Sequence, residues 1–308
     1  MNKYPNCWLH RFACLLALAT FLLIVAGASV TSHRAGLAVP DWPTTYGEFM
    51  FSFPVSKWVG NILYEHGHRL IASAVGIFTI ILAIWLVRVE PRRWVRRLGI
   101  AALAAVIAQG VLGGLTVKFM LPPSISIAHA SLAEAFFCIT VALAFVSSER
   151  WTQPSPATEA PNARLVQRFA LLSTAAVYTQ IILGAAIRHA ESGLFLHIAG
   201  AIAVFVCVIA CLFVVLFTVK QRGFLRHAIL LLGLVTAQIA VGLVTMMVRV
   251  PKNAEGQLTA VQTLVPTVHL ALGALILATS LGVVLKTYRF LAAPREAPAM
   301  PFVAGAIS

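Results

Sequence analysis

The chain has 308 residues, of which 60% are apolar and only 11% charged. A soluble domain of this length needs roughly a quarter of its residues charged, so a water-soluble globular protein is excluded. The net charge of +13 suggests a nucleic-acid partner, but its distribution, described below, argues against one.

Taken in order, the apolar residues gather into eight stretches near 12–31, 67–87, 95–118, 126–147, 167–188, 195–218, 226–248 and 266–287. Each is about 20 residues long, the length that carries a helix across a bilayer. Lipid gives backbone groups no outside partner, so helices are expected, and the long runs without alternation argue against a barrel. The predicted fold is an all-α integral membrane protein, eight transmembrane helices arranged as two pseudo-symmetric four-helix bundles.

With the N-terminus inside, cytoplasmic segments hold Lys3 and Arg11; Arg88, Arg92, Arg93, Arg96 and Arg97; Arg150, Arg164 and Arg168; Lys220, Arg222 and Arg226; and Lys286, Arg289 and Arg295. That is 16 of the 23 Lys and Arg residues. This bias is the positive-inside pattern and predicts both termini in the cytoplasm. The first span is expected to be retained, because its apolar run exceeds a typical signal core. Of the five cysteines, none falls in a predicted outer loop, and Cys207 and Cys211 read as packing residues. Residues 149–165, with Pro154, Pro156 and Pro161, read as a cytoplasmic linker. It separates a half at 1–148 from a half at 166–292, with a tail at 293–308.

Inside these halves the sequence repeats. Gln109 to Gly113, Gln180 to Gly184 and Gln238 to Gly242 each place a glutamine and a glycine one turn apart on the third, fifth and seventh spans. The glycine permits close approach and the glutamine can bond across to a neighbour. The even spans each begin with a histidine: His68, His129, His197 and His269. Four residues on stand Ala72, Ala133, Ala201 and Gly273, stacked on the same face. An imidazole beside a cleared patch is what a flat iron macrocycle requires, which points to haem. No Cys-x-x-Cys or His-x-x-x-His pair supports a compact metal site instead. Symmetry pairs His68 with His129 and His197 with His269. His10, His33, His189 and His227 lack this context and read as interfacial, whereas His66 stays open.

The repeat breaks at the first histidine, which alone is flanked by an acid and a base, Glu65 and Arg69. A carboxylate at i−3 lies on the histidine's own face, and acids near a membrane interior default to function. A plain Glu65–Arg69 pair at i, i+4 is the structural alternative. Glu134, five residues after His129, is a second acid with no assigned task. The odd spans end near Arg34, Lys118, Arg188 and Arg249, which suit haem propionates or simple snorkelling equally.

These residues resemble the haem A synthase family. Glu65-x-x-His68-Arg69 is similar to its signature. The stretch from Gly36 to Pro43 resembles its first outer loop. Gln109 through Thr116 leading to Pro122-Pro123 and His129, and Leu183-Gly184 with Arg188-His189, are similar again. The resemblance runs from about residue 15 to 290. It implies a membrane oxidoreductase of the bacterial inner membrane that oxidises a ring methyl of haem O to a formyl group, giving haem A. It further implies that His197 and His269 ligate the iron of a resident haem B. His68 and His129 would serve the substrate haem O, and Glu65 would be needed for the chemistry; Arg34, Arg69, Lys118, Arg188 and Arg249 are candidates for propionate or site support on their position alone. Implied partners are haem O synthase, cytochrome oxidase assembly factors, the lipid bilayer and an electron donor that the residues do not identify; nucleic acid is not among them. Many family members carry outer-loop cysteine pairs, but this chain has Val39 and Thr44 in the first loop and no cysteine between Arg188 and His197. Rival readings are a bis-histidine haem B electron-transfer cytochrome, a histidine-based metal transporter and a permease.

Overall fold

The structure is a computed structural model that describes residues 6–154, 157–219, 222–250 and 256–293. Lys3, Lys220, Arg295 and the tail from 294 onward lie outside the described residues. Eight long helices dominate: α1 (Cys7–Ser32), α2 (Asn61–Val89), α3 (Arg93–Lys118), α4 (Pro123–Ser147), α6 (Ala163–Ala190), α7 (Leu194–Thr218), α8 (Arg222–Val248) and α9 (Ala260–Phe290). A one-turn helix, α5 (Glu149–Thr152), lies in the linker. All eight long helices are long and apolar enough to cross a membrane.

Every helix overruns its predicted span, because the apolar window marks only hydrocarbon depth while the helix continues to its stop signals. The Asn6 side chain accepts from the Leu9 amide to start α1. Pro123 occupies the first turn of α4, where a missing N–H costs nothing. Thr259 and Gln262 form a reciprocal capping box that carries α9 six residues upstream of the predicted 266. Gly193, with φ of 84°, makes the tight turn into α7.

Large apolar side chains such as Leu18, Ile84, Leu172 and Phe213 point outward, as expected where the solvent is hydrocarbon rather than water. Within the bundle, α1, α2, α3 and α4 pack in sequence, and so do α6, α7, α8 and α9. The two sets meet where α1 packs on α9 and where α4 packs on α6 and α9. Polar bonds cross this seam. The Tyr178 hydroxyl donates to the Ser131 carbonyl at 3.0 Å. Arg188 Nη2 donates to the Ala28 carbonyl and to Ser32 Oγ, both at 2.7 Å. The Thr267 hydroxyl donates to the same Ser32 oxygen at 2.8 Å.

At the linker end, the buried Glu90 accepts from Arg92 at 2.7 and 2.9 Å, while Arg92 also donates to the Val146 carbonyl at 2.9 Å. These bonds tie the α2–α3 turn to the end of α4. A two-residue parallel pairing joins β1 (Thr158–Glu159) to β2 (Leu291–Ala292), docking the linker against the end of α9.

Candidate functional site

The four even-span histidines sit half-buried at one end of the bundle, opposite the linker. Each imidazole rests edge-on against a glycine of the helix before it. A Cβ built on Gly27 of α1 would stand 3.0 Å from His68 Cε1. The matching distances are 3.3 Å from Gly113 of α3 to His129, 3.2 Å from Gly184 of α6 to His197, and 2.9 Å from Gly242 of α8 to His269. Contacts below 3.4 Å leave little room for a methyl group, so an added side chain at any of the four would press on the ring. Sequence periodicity found three of these glycines but missed Gly27. The slot one turn earlier holds Leu23 rather than glutamine, and only the small-residue run Ala26–Ser29 marked the place.

The glutamines bracket the histidines from behind. Gln109 Nε2 donates to the His129 carbonyl at 2.9 Å, and Gln180 Nε2 to the His197 carbonyl at 2.8 Å. Gln180 Nε2 also lies 3.0 Å from His197 Nδ1, and Gln238 Nε2 lies 3.4 Å from His269 Nε2. Ala133 packs in an apolar cluster with Ile24, Phe137 and Ala274, and Gly273 faces Gln238. Room for the imidazoles themselves comes from the glycine on the facing helix.

Two features fit an iron macrocycle held between imidazoles. Nδ1 of His68, His129 and His269 is buried with no hydrogen-bond partner, a condition that costs about 1–3 kcal/mol per atom. The His197 and His269 ring centres are 6.5 Å apart. Two metal–imidazole bonds of about 2 Å, with about 1 Å from nitrogen to ring centre at each end, span roughly that length. Among the described residues, no three His, Cys, Asp or Glu side chains gather as a metal cluster. Histidine is one of the side chains that holds haem iron.

One turn before His68 on α2, Glu65 anchors the loop between α1 and α2. Glu65 Oε2 accepts from the Val39 amide at 2.8 Å, and Oε1 accepts from Arg69 Nη2 at 2.7 Å. Arg69 then donates to the carbonyls of Val39, Asp41 and Thr44 at 2.9, 2.7 and 3.1 Å. The i, i+4 ion pair is therefore formed, and it is 5–10% exposed. It fixes the loop to the turn of α2 that carries the first histidine. His66 turns away from His68: its Nδ1 meets Thr45 Oγ1 at 3.2 Å, and its ring packs between Phe53 and Trp58. Trp42 lies on Gly114 of α3, where a Cβ would sit 2.6 Å from the indole. Lys118 covers the same ring at 5.9 Å. Asp41 closes the loop on itself, accepting from the Thr44 hydroxyl and from the Tyr46 and Gly47 amides. Burial pushes its carboxyl up, but these hydrogen bonds outweigh that and hold it below the ordinary carboxylate value.

Arg188 reaches across the seam to α1, as above, and its Nε is buried without a partner. Arg249 lies 3.9 Å from Glu191 beside the α6–α7 turn. Arg34 is exposed just past α1 with φ of 54°. Glu134 is buried in α4 with Oε2 unpartnered. His33 stacks on Tyr64 at 3.8 Å, and His10 meets Ser147 Oγ at 3.3 Å, so both serve helix contacts. Cys211 is buried in an apolar cluster with Ala170 and Val215.

Fold and site together define a multi-pass membrane protein of eight candidate spans, with four histidines seated on glycines at one end. The chain belongs to the COX15-CtaA family, described as cytochrome oxidase assembly protein, whose profile matches residues 10–198. That match takes in Glu65, His68, His129 and His197, and ends before His269. Similar proteins named heme A synthase include that of Shouchella clausii, 29% identical over 191 residues, which are 60% of this chain and 61% of that protein. The one from Symbiobacterium thermophilum is 30% identical, over 58% of this chain and 59% of its own. The one from Rhizobium etli is 26% identical over 304 residues, covering 76% of this chain and 80% of its own. The alignment thus spans about three fifths of the first two relatives' length.

Proposed function

We propose that the chain is a haem A synthase: a membrane oxidoreductase that converts the ring methyl of haem O to the formyl of haem A. The observation that carries this reading is the fourfold histidine–glycine seat, with one seat alone flanked by an acid and a base. In this reading His197 and His269, on α7 and α9, hold haem B, and His68 and His129, on α2 and α4, receive haem O. Residues 1–148 then form the substrate half and 166–292 the cofactor half. Bound haem B supplies one-electron chemistry, while the protein supplies position and electrostatics.

The chain's own contribution follows from the contacts around α2. Glu65 and Arg69 clamp the loop at Val39, Asp41 and Thr44 to the turn of α2 that carries His68. The desolvated carboxylate is already oriented by two donors, so it meets a substrate without rearranging. Gln109 and Gln180 hold the backbone of the ligand-bearing turns, fixing how each ring is presented. Arg188 joins the α6 turn after Gly184 to the α1 turn after Gly27, giving the two seats a fixed relation. Arg34, Lys118 and Arg249, at the same end as the histidines, supply cations for haem propionates. We assign the histidine end to the outer face of a bacterial inner membrane. Haem O synthase and cytochrome oxidase assembly factors are the corresponding partners.

The test is expression in a host that makes haem O but not haem A, followed by haem extraction. The reading expects haem A or its hydroxylated precursor. Folded protein that yields only haem O would instead mark an electron-carrying cytochrome.

A further inference from the structure

At the linker end, far from the histidines, a groove of about 620 Å³ opens sideways from the bundle. Helices α3 and α9 each pack on α4, which leaves α4 as the floor and the other two as walls. Leu98 and Ala101 of α3, Ala142 of α4 and Leu285 of α9 line it, and Trp151 of the linker closes one end. The lining is almost wholly carbon. Such a slot does not hold water, which needs two to four polar partners, and it faces the depth where acyl chains lie.

The mouth has a different chemistry. Arg97 is the one charged side chain among the lining residues, and Arg93 lies one turn nearer the linker end on the same face of α3. Both are exposed, and neither has an acidic partner among the described residues. Like charges at i, i+4 repel, and an anion between them removes that cost. Trp94 and Tyr288, 49% and 55% exposed, flank the opening, the usual residues at headgroup level. Basic pockets between membrane helices are binding places for anionic lipid headgroups.

We propose that this groove binds one anionic phospholipid, its acyl chain in the α3–α4–α9 slot and its phosphate between Arg93 and Arg97. The lipid fills the gap between α3 and α9 and thereby braces the seam at the linker end. The inference rests on the membrane-spanning fold and not on the haem reading, so either can fail alone.

The test is thermal unfolding of the purified full chain in detergent, titrated with phosphatidylglycerol or with phosphatidylcholine of the same acyl chains. Inorganic phosphate alone is a third arm, and retained lipid is counted by native mass spectrometry. The variants are Arg93→Gln/Arg97→Gln, which keeps the slot, and Ala101→Phe, which fills it; the lipid-free unfolding temperature of each is recorded first. Wild type should retain about one phosphatidylglycerol and unfold several degrees higher with it than with phosphatidylcholine. The double variant should lose that preference. Ala101→Phe should respond to neither lipid while unfolding at or above the wild-type lipid-free temperature. Equal effects of the two lipids, an effect of phosphate alone matching phosphatidylglycerol, an undiminished response in both variants, or a lipid-free dimer joined through this face would each overturn the proposal.

Discussion

At the scale of single residues, the four glycines carry the most discriminating prediction. The room for an added methyl is graded, from 2.9 Å at Gly242 and 3.0 Å at Gly27 to 3.2 Å at Gly184 and 3.3 Å at Gly113. Substituting each by alanine should displace the facing ring in that order, with overpacking costs of about 1–3 kcal/mol at the tightest. The visible spectrum of bound haem checks this: Gly242→Ala should weaken it most and Gly113→Ala least, and equal effects would contradict the ring-seat account. Glu65→Gln keeps an acceptor for the Val39 amide but loses the charge that holds Arg69. We expect haem O conversion to fall by about 100-fold, the lower range for losing a preorganised electrostatic group, with haem content kept. Extracted haems from the two forms check it.

Asp41 makes a pH prediction. Its folded value lies below its unfolded one, so its contribution to loop order is complete above the unfolded value of about 3.9. That contribution is lost as pH falls through the lower folded value. The loop should therefore resist proteolysis at neutral pH and open only in acid below the ordinary carboxylate range. Asp41→Asn should be more readily cut at neutral pH and should lose the acid-dependent step. These residue contacts were poorly legible in advance. The pairing of Glu65 with Arg69 is local and was visible as an i, i+4 spacing. The Val39 amide that completes it is 26 residues away, and Trp42 meets Gly114 across a whole hairpin. Periodicity reports neighbours along one helix and carries no signal for contacts between segments so far apart.

At the scale of elements, the α1–α6–α9 junction is where the two sets of helices are pinned at the histidine end. Arg188 gives two hydrogen bonds to α1 there, and Thr267 gives one from α9. Arg188→Met removes both hydrogen bonds to α1 and should lower stability by about 1–3 kcal/mol. Thermal unfolding in detergent measures the effect; an unchanged midpoint would mean that the junction does not bear on the seam. The helices themselves were legible because lipid imposes a length and a composition on each. Their ends were less so, since Asn6, Pro123 and the Thr259–Gln262 box act beyond the apolar window. The cross-seam role of Arg188 was hidden for another reason. At a predicted helix end an arginine reads equally as snorkelling or propionate binding, and only the packed seam shows it turned toward α1.

At the scale of the whole molecule, one plan is repeated four times and altered once. Each hairpin pairs a glycine on its first helix with a histidine on its second, and three of the four add a glutamine one turn earlier. The first hairpin has Leu23 in that slot, and the long α1–α2 loop is clamped to the turn that carries its histidine by Glu65 and Arg69. That asymmetry, imposed on otherwise equivalent seats, is the basis for placing reaction at one pair and a resident cofactor at the other. The most direct measurement is haem analysis of the purified wild type beside His68→Ala and His197→Ala, after expression with adequate haem supply. The account predicts haem in the wild type, loss of haem B in His197→Ala, and retention of haem B without conversion in His68→Ala. A folded wild type that binds no haem, or two variants that both keep their full complement of haem, would contradict it.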